Sequence, residues 1–316
     1  MYNLAGFISI SLLILITHFM TLRWPAVSKI LYTALAVRFL FLFINNHIFY
    51  LPDGDMDAKS FERFAWESYA QNGFDFVISS FNGPETYFLS KLIAFFYALF
   101  GRSMLMAQSI SIFFGIASVF LGWLLAKKIW DNHTAIKVGW SIALFPTLVS
   151  YSVLTMREVY ISFFLLLAMY GIVNWVRFNN YKSLFLIFIG FVGATFFHGA
   201  SIIGLFVFIG VAILDSFKKT FKSLLTLHIN LQILITIFLF SFILGFYFTN
   251  KISLPYIQTF SKISDPEFLK ETINLKVKGG AAYPEWTKID SNIELFYKIP
   301  IRSLYFLFIP FPWDFK

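Results

Sequence analysis

The chain has 316 residues, of which 58% are hydrophobic and only 13% are charged, and 43 of them are phenylalanine. Soluble domains carry about twice that charged fraction, so the composition indicates a polytopic membrane protein and excludes a pair of soluble domains. The net charge of +8 comes from short Lys and Arg clusters between apolar runs, which is the positive-inside pattern rather than a nucleic-acid-binding surface. The absence of cysteine excludes disulfides, thiol nucleophiles and thiolate metal sites.

Crossing a bilayer takes about 20 apolar residues, and about nine runs in this chain are predicted to do so. The predicted spans are 4–22, 27–49, 104–126, 135–153, 159–176, 184–197, 200–214, 231–248 and 299–311. The first run lacks a basic leading segment and a small-residue cleavage site, so we predict a retained helix rather than a signal peptide. Arg38 lies deep in the second span and must face protein, water or a bound anion.

A further apolar run, 87–100, is shorter and carries Lys91. The basic clusters between the spans decide its topology. They comprise Arg23 and Lys29; Lys127, Lys128 and Lys137; Arg177 and Lys182; and Lys218, Lys219 and Lys222. All of them are cytoplasmic only if 87–100 does not cross, so we predict a re-entrant or interfacial helix there. The N-terminus and the loops 51–103 and 250–298 are then outside.

The first large outer loop opens with the carboxylates Asp53, Asp55 and Asp57, where Pro52 and Gly54 stop the preceding helix. Asp55 and Asp57 are candidates for a general base or for oxygen ligands of a divalent cation such as Mg²⁺ or Mn²⁺. A loop that merely carries solvated negative charge is the alternative interpretation.

The residues after this motif show helical periodicity that predicts an amphipathic helix along the membrane surface. Its apolar side consists of Phe61, Phe64, Ala65 and Tyr69, against Glu62, Arg63 and Glu67.

Two later positions share the predicted outer face with these acids. The adjacent pair Arg157 and Glu158 starts a span at the membrane edge, where ionisable residues are usually functional or paired. Interfacial anchoring, and stabilisation of Glu158 by the helix dipole, explain the pair without a function. His198 lies in a tight turn between apolar runs and suits either a phosphate or sugar contact or a plain capping role.

The late outer loop holds Lys276 and Lys278 directly before the pair Gly279 and Gly280. Cations beside flexible backbone can wrap an anionic group, although a mobile loop is the alternative. No internal repeat or low-complexity linker is visible, so 1–316 is predicted to be a single transmembrane domain.

These features together resemble the GT-C membrane glycosyltransferases. The similar elements are the acidic motif in the first outer loop, the segment 99–103 entering a span, residues 127–130 and 144–146, and the outer acid Glu158. Residues 157–158 and 197–201 are also similar to Wzy-type and exopolysaccharide polymerases, and 310–313 resembles a terminal motif of surface-polysaccharide proteins. The sequence departs from the GT-C pattern in its extra first span and in Glu rather than Asp at 158. No soluble domain follows the last predicted span in the sequence, as expected of either a minimal or a truncated member.

The resemblance implies an all-α, GT-C-like bundle of about nine transmembrane helices plus an interfacial helix in the first outer loop. Such an enzyme moves a sugar from a polyprenyl-linked donor to a glycan or lipid-linked acceptor outside the bacterial cytoplasmic membrane. Its catalytic acids correspond here to Asp55 or Asp57 and to Glu158, and the candidate phosphate-binding residues are Arg157, His198, Arg102, Lys276 and Lys278. A repeat-unit polymerase and a lipid-linked oligosaccharide transporter or flippase remain alternatives, and no nucleic-acid partner is expected.

Overall fold

The structure is a computed structural model that describes residues 4–51, 54, 57–81, 83, 85–178, 182–223, 241, 266–275 and 285–308. The chain divides into two compact units, Met1–Ser253 and Leu254–Lys316, each described here by itself. Within the described residues the fold is helical and contains no strand. The single-domain organisation stays a prediction.

The first unit contains eleven described helices, whose bounds are as follows. They are α1 Leu4–Arg23, α2 Ser28–His47, α3 Asp57–Phe64, α4 Phe74–Ser79, α5 Phe88–Phe100, α6 Met104–Ile129, α7 Asn132–Leu144, α8 Pro146–Val153, α9 Arg157–Phe178, α10 Lys182–Phe197 and α11 Ile202–Ser223. A π-helical turn, Ala65–Tyr69, and a 3₁₀ turn, Ala70–Asn72, continue α3. Two further 3₁₀ turns, Pro25–Val27 and Gly199–Ser201, precede α2 and α11.

The central element of this unit is α6, which packs against α1, α2, α7, α8 and α9. It begins where the Ser103 hydroxyl accepts a hydrogen bond from the Met106 N–H at 3.3 Å, an ordinary N-cap. Gly115 and Gly122 lie within it and let neighbouring helices approach closely, as small residues do in membrane bundles.

Four of the described helices are long and apolar enough to cross a membrane. They are α1, α2 with the turn before it, α6 and α9. The predicted span 135–153 is instead two helices, α7 and α8, bent by 55°, and it makes a fifth crossing if the pair counts as one. The bend occurs at Pro146, which has no N–H for the preceding turn of helix.

The remaining predicted spans are not confirmed. Helix α10 and the segment Gly199–Ala212 are apolar but shorter. The run 231–248 lies outside the described residues, and 299–311 is described only as far as 308. The described structure therefore supports a helical membrane protein with four or five spanning helices.

Helix α5 begins and ends at the same end of the bundle. Its first residue, Phe88, has its ring 5.2 Å from that of Phe197 at the end of α10. Its last residue, Phe100, is three residues before Ser103, whose hydroxyl oxygen would lie 2.7 Å from a Cβ on Gly6 in the first turn of α1. Thirteen residues of helix span only about 20 Å, less than the roughly 30 Å hydrocarbon core. Both observations fit the prediction that 87–100 does not cross.

The connections therefore segregate to opposite ends. We call the end that carries residues 51–103, the turn 154–158 and the turn 198–201 the acidic end. At the other, basic end the Arg177 guanidinium donates to the Lys128 carbonyl at 2.5 Å, which joins two basic connections. The ring of Trp24, in the first connection, lies 4.6 Å from that of Phe120 in α6.

The second unit contains α12 Pro266–Leu275, a 3₁₀ turn Glu285–Thr287 and α13 Asn292–Phe308. The predicted loop 250–298 is thus partly helical. Buried Arg302 donates to the Ile273 carbonyl at 2.9 Å, and the Asn274 side chain exchanges hydrogen bonds of 2.7 and 2.9 Å with the Ile289 backbone. These bonds connect α12 to α13 and explain why ordered structure extends into the predicted loop.

Candidate functional site

The first outer loop contacts the turn between α8 and α9 directly. The Thr155 hydroxyl donates to the Ala58 carbonyl at 2.6 Å, across 97 residues of sequence. Gly54 fits against the same turn, because a Cβ there would lie 2.8 Å from Asn45 Oδ1 and 3.2 Å from Leu154 Cδ2. The segments that carry Asp57 and Glu158 are therefore packed together at the acidic end.

Asp57 is the first residue of α3 and is exposed. A carboxylate in the first turn of a helix is stabilised by the helix dipole, so its position has a structural explanation as well. Asp55 lies outside the described residues, and its geometry with Asp57 stays a prediction. Among the residues that the structure describes, no group of three or more His, Asp or Glu could hold a metal ion.

Glu158 and Arg157 form an ion pair at the start of α9, with 3.5 Å between Arg157 Nε and Glu158 Oε1. The other carboxylate oxygen, Glu158 Oε2, is buried and has no hydrogen-bond partner in the described structure. A buried acceptor without a donor is costly, and such an oxygen is suited to take a hydroxyl proton from a bound molecule.

His198 follows α10 at the same end of the bundle and is half-buried. The preceding ring, Phe197, stacks on Tyr160 in the first turn of α9, with ring centroids 4.8 Å apart. Tyr160 is itself buried and shares a hydrogen bond of 2.9 Å with Ser111 of α6. This packing holds the turn of His198 beside the helix end that carries Arg157 and Glu158.

Arg102 occupies a position that the sequence did not reveal. Its Nε and Nη2 each donate to a Glu62 oxygen at 2.9 Å, and the Tyr97 hydroxyl donates to the same carboxylate at 3.0 Å. These hydrogen bonds raise the pKa of Arg102, and burial raises the pKa of Tyr97. Arg102 thus connects α3 to the start of α6, which gives it a structural role; its predicted phosphate contact stays a prediction.

Glu62 was predicted on the polar side of the amphipathic helix, and this placement is wrong, because Glu62 is only 8% exposed. The spacing of small residues around Glu62 in the sequence could have predicted its burial. Glu62 follows Ala58 by four residues and precedes Ala65 by three, and both alanines are fully buried. One helical face therefore carries all three residues.

Lys91 also has a structural explanation. It is buried in α5, ion-pairs with Glu85 at 2.6 Å and donates to the Ser80 carbonyl. These contacts hold Ser80 and Glu85 against α5 and compensate the charge of the lysine in this apolar helix.

An apolar groove of about 710 Å³ lies between α1, α5 and α6. It follows α1 from Leu4 to Ile16, a distance of about 18 Å at the helical rise, and so extends inward from the acidic end. Its two hydroxyls are internally satisfied, since Ser9 donates to the Ala5 carbonyl and Ser109 to the Leu105 carbonyl. The groove is suited to a long hydrocarbon chain.

Arg38, the intramembrane cation, faces protein. Its Nη1 donates to the carbonyls of Ala34 at 3.1 Å and Ala143 at 3.2 Å, and its side chain is almost fully buried. Ala143 lies at the end of α7, next to the bend. The broken helix and the buried cation therefore meet at one point.

The remaining predicted phosphate-binding residues, Lys276 and Lys278, lie outside the described residues. Comparison of the chain with protein-family models, with curated proteins and with solved structures finds no match, so what the acidic end does has to be inferred from its own residues.

Proposed function

We propose that this chain is an integral-membrane glycosyltransferase of the GT-C type. It transfers a sugar or oligosaccharide from a polyprenyl-(pyro)phosphate carrier to a glycan or lipid-linked acceptor on the outer face of the bacterial cytoplasmic membrane. The observation that supports this best is the contact between the loop of Asp57 and the turn of Glu158, made by Thr155 and Ala58.

The reaction needs a base and a cation at one place. The acceptor hydroxyl attacks the anomeric carbon, the new glycosidic C–O bond forms, and the bond from that carbon to the carrier's phosphate oxygen breaks. Glu158, with its unpartnered Oε2, or one of Asp55 and Asp57 accepts the hydroxyl proton. Arg157, paired with Glu158, stabilises the negative charge of the departing phosphate.

The apolar groove supplies a place for the carrier's hydrocarbon chain. It opens beside the acidic end and has no unsatisfied polar group among its described lining residues. In this proposal the acidic end faces outside and about nine helices cross the membrane. Asp55 and Asp57 would hold a divalent cation, which would supply positive charge beside the departing phosphate.

A Wzy-type repeat-unit polymerase uses the same chemistry but joins lipid-linked repeat units to one another. The acidic end suits either acceptor, because the base and the cation contact only the reacting hydroxyl and phosphate.

A transporter or flippase for lipid-linked oligosaccharide is the candidate from another class, and one observation favours it. Transport proteins often contain helices that are broken within the membrane, with polar groups at the break. The 55° bend between α7 and α8, with Arg38 buried against it, is such an arrangement.

The test separates the two classes by where the intermediate accumulates. In a strain that lacks the protein, loss of a transferase leaves the lipid-linked saccharide in the outer leaflet, whereas loss of a flippase leaves it in the inner leaflet. Accessibility to an impermeant lectin in spheroplasts reports the leaflet. Accumulation of the lipid-linked saccharide in the inner leaflet would contradict the proposal that the protein is a glycosyltransferase.

Complementation then tests the residues. Asp57→Asn and Glu158→Gln keep the shape of each side chain but remove its charge, and loss of a general base costs about 10²–10⁴-fold in rate. Asp75→Asn is the matched control, since Asp75 is exposed in α4 and is assigned no role. Full activity in both Asp57→Asn and Glu158→Gln would leave the proposed base to Asp55 alone, and full activity in Asp55→Asn as well would refute it.

A further inference from the structure

We propose that Arg38 is a positioning residue that holds the break between α7 and α8 and thereby sets the place of the outer turn 154–158. The inference concerns position rather than catalysis, so it applies equally to a transferase and to a transporter.

Arg38 lies deep within its span, and this depth indicates that it has a specific partner. In α2 it lies about 15 Å from Ser28 and about 14 Å from His47 at the helical rise, and therefore near the middle of the span. A guanidinium at that depth is unfavourable unless protein groups compensate its charge, so it is expected to have a specific partner. No carboxylate is among its hydrogen-bond partners in the described structure.

Its partner across the bundle is the end of α7. Pro146 has no N–H, and the 55° bend turns the backbone of α8 away from the last carbonyls of α7. Arg38 Nη1 donates to one of these carbonyls, that of Ala143, across 105 residues of sequence. A cation is also favourable at the negative end of the α7 dipole.

The guanidinium also lies close to Gly115 of α6, at the point where α8 packs on that helix. A Cβ on Gly115 would lie 3.0 Å from Arg38 Nε and 2.5 Å from the Cβ of Ser152 in α8. Arg38, which bonds to the end of α7, and Ser152 of α8 thus approach the same point on α6. Its Nε has no hydrogen-bond partner in the described residues, so Nη1 provides the specific contact.

The end of α8 leads directly to the acidic end. Leu154, the residue after α8, packs against Gly54, and Thr155 bonds to Ala58. Arg157 and Glu158 follow at once. A change in the angle of α8 therefore moves this turn relative to the loop of Asp57.

Because the chain has no cysteine, an engineered pair reports this position without background. In the double variant Ala58→Cys, Thr155→Cys both thiols are buried, so we expect rapid disulfide formation with iodine, a small apolar oxidant that can reach buried thiols. Adding Arg38→Met should slow the joining at least tenfold, whereas Arg38→Lys, which keeps the charge and donors, should stay within threefold of the parent.

The control is a second buried cation. Lys91→Met removes an ion pair of α5 and should lower stability without slowing the 58–155 crosslink. If Arg38→Met yields no folded protein, Arg38→Gln is the second variant, because it keeps a donor but loses the charge and the reach, and it should slow the crosslink as well. The proposal is overturned if Arg38→Met, or Arg38→Gln in its place, crosslinks within twofold of the parent, or if Lys91→Met slows the reaction equally.

Discussion

The ion pair between Glu62 and Arg102 allows a structural role to be separated from a role in binding phosphate. Glu62 accepts two hydrogen bonds from Arg102 and one from Tyr97, all between 2.9 and 3.0 Å. In Glu62→Gln the new amide group presents hydrogens to at least one of these donors. The bidentate pairing is therefore lost while the shape of the side chain is retained.

The expected loss of stability follows from the exposure of the two partners. The Glu62 side chain is 10% exposed and that of Arg102 is 45% exposed. Breaking a fully buried pair costs about 3–5 kcal/mol and an exposed pair contributes about 0.2–1 kcal/mol. For this intermediate case we expect about 2 kcal/mol, because water still solvates Arg102, and this lowers the unfolding midpoint by roughly 4–8 °C.

The assay is thermal unfolding of the detergent-solubilised protein, followed by intrinsic fluorescence, together with the transfer assay. Glu67→Gln is the matched control, because its side chain is 58% exposed and lies 4.0 Å from Arg63. We expect that control to change the free energy of unfolding by less than about 0.5 kcal/mol. The double variant Glu62→Gln, Arg102→Gln should lose less than the sum of the single losses.

Two results would refute this reasoning. One is a Glu62→Gln protein as stable as Glu67→Gln, which would mean that the ion pair contributes nothing. The other is additive losses in the double variant. If Arg102→Gln abolished transfer while stability stayed unchanged, the predicted phosphate contact of Arg102 would be favoured instead.

Three further predictions follow from other contacts. Gly190→Ala places a Cβ against the backbone of α9 at 2.5 Å and should cost about 1–3 kcal/mol, whereas Gly210→Ala, with open space around it, should not destabilise; equal midpoints would contradict the tight α9–α10 packing. Burial raises the pKa of Tyr97, so the folded protein keeps this hydroxyl protonated at a pH where the unfolded chain loses the proton. The contribution of Tyr97 to the free energy of unfolding is therefore complete below about pH 10, the pKa in the unfolded chain, and is lost as the pH rises above it. Tyr97→Phe should therefore flatten the alkaline decline of the unfolding midpoint, and an unaltered decline would count against that assignment. An impermeant thiol reagent should label Asp75→Cys but not Asn132→Cys in intact cells, and the reverse labelling would invert the proposed topology.

Helix locations could be read from the sequence because they depend on local properties. A run of about 20 apolar residues has few alternatives to a helix in a membrane, whatever surrounds it. Ser103 and Asp131 cap α6 and α7 through N–H groups three residues away, within the same turn. Pro146 acts locally as well, yet its consequence, two helices rather than one span, became visible only in the structure.

The candidate site was accessible to sequence reasoning only in part. Alternating basic clusters predicted that the loop of Asp57, the Arg157–Glu158 turn and His198 share one face, since charge sidedness needs only the order of the spans. The same reasoning could not show that Arg102 is paired with Glu62, because residue type alone does not reveal whether a charged side chain is exposed to water or paired with another residue.

Tertiary structure decided which polar groups meet. Arg38 with Ala143 and Thr155 with Ala58 are separated by about a hundred residues, and no periodicity relates them. Such partners are chosen when helices pack, because a buried polar group must find a hydrogen bond wherever the neighbouring backbone offers one. The sequence by itself determined that helices form and how their ends are ordered, whereas the packing of the helices determined what each buried charge contacts.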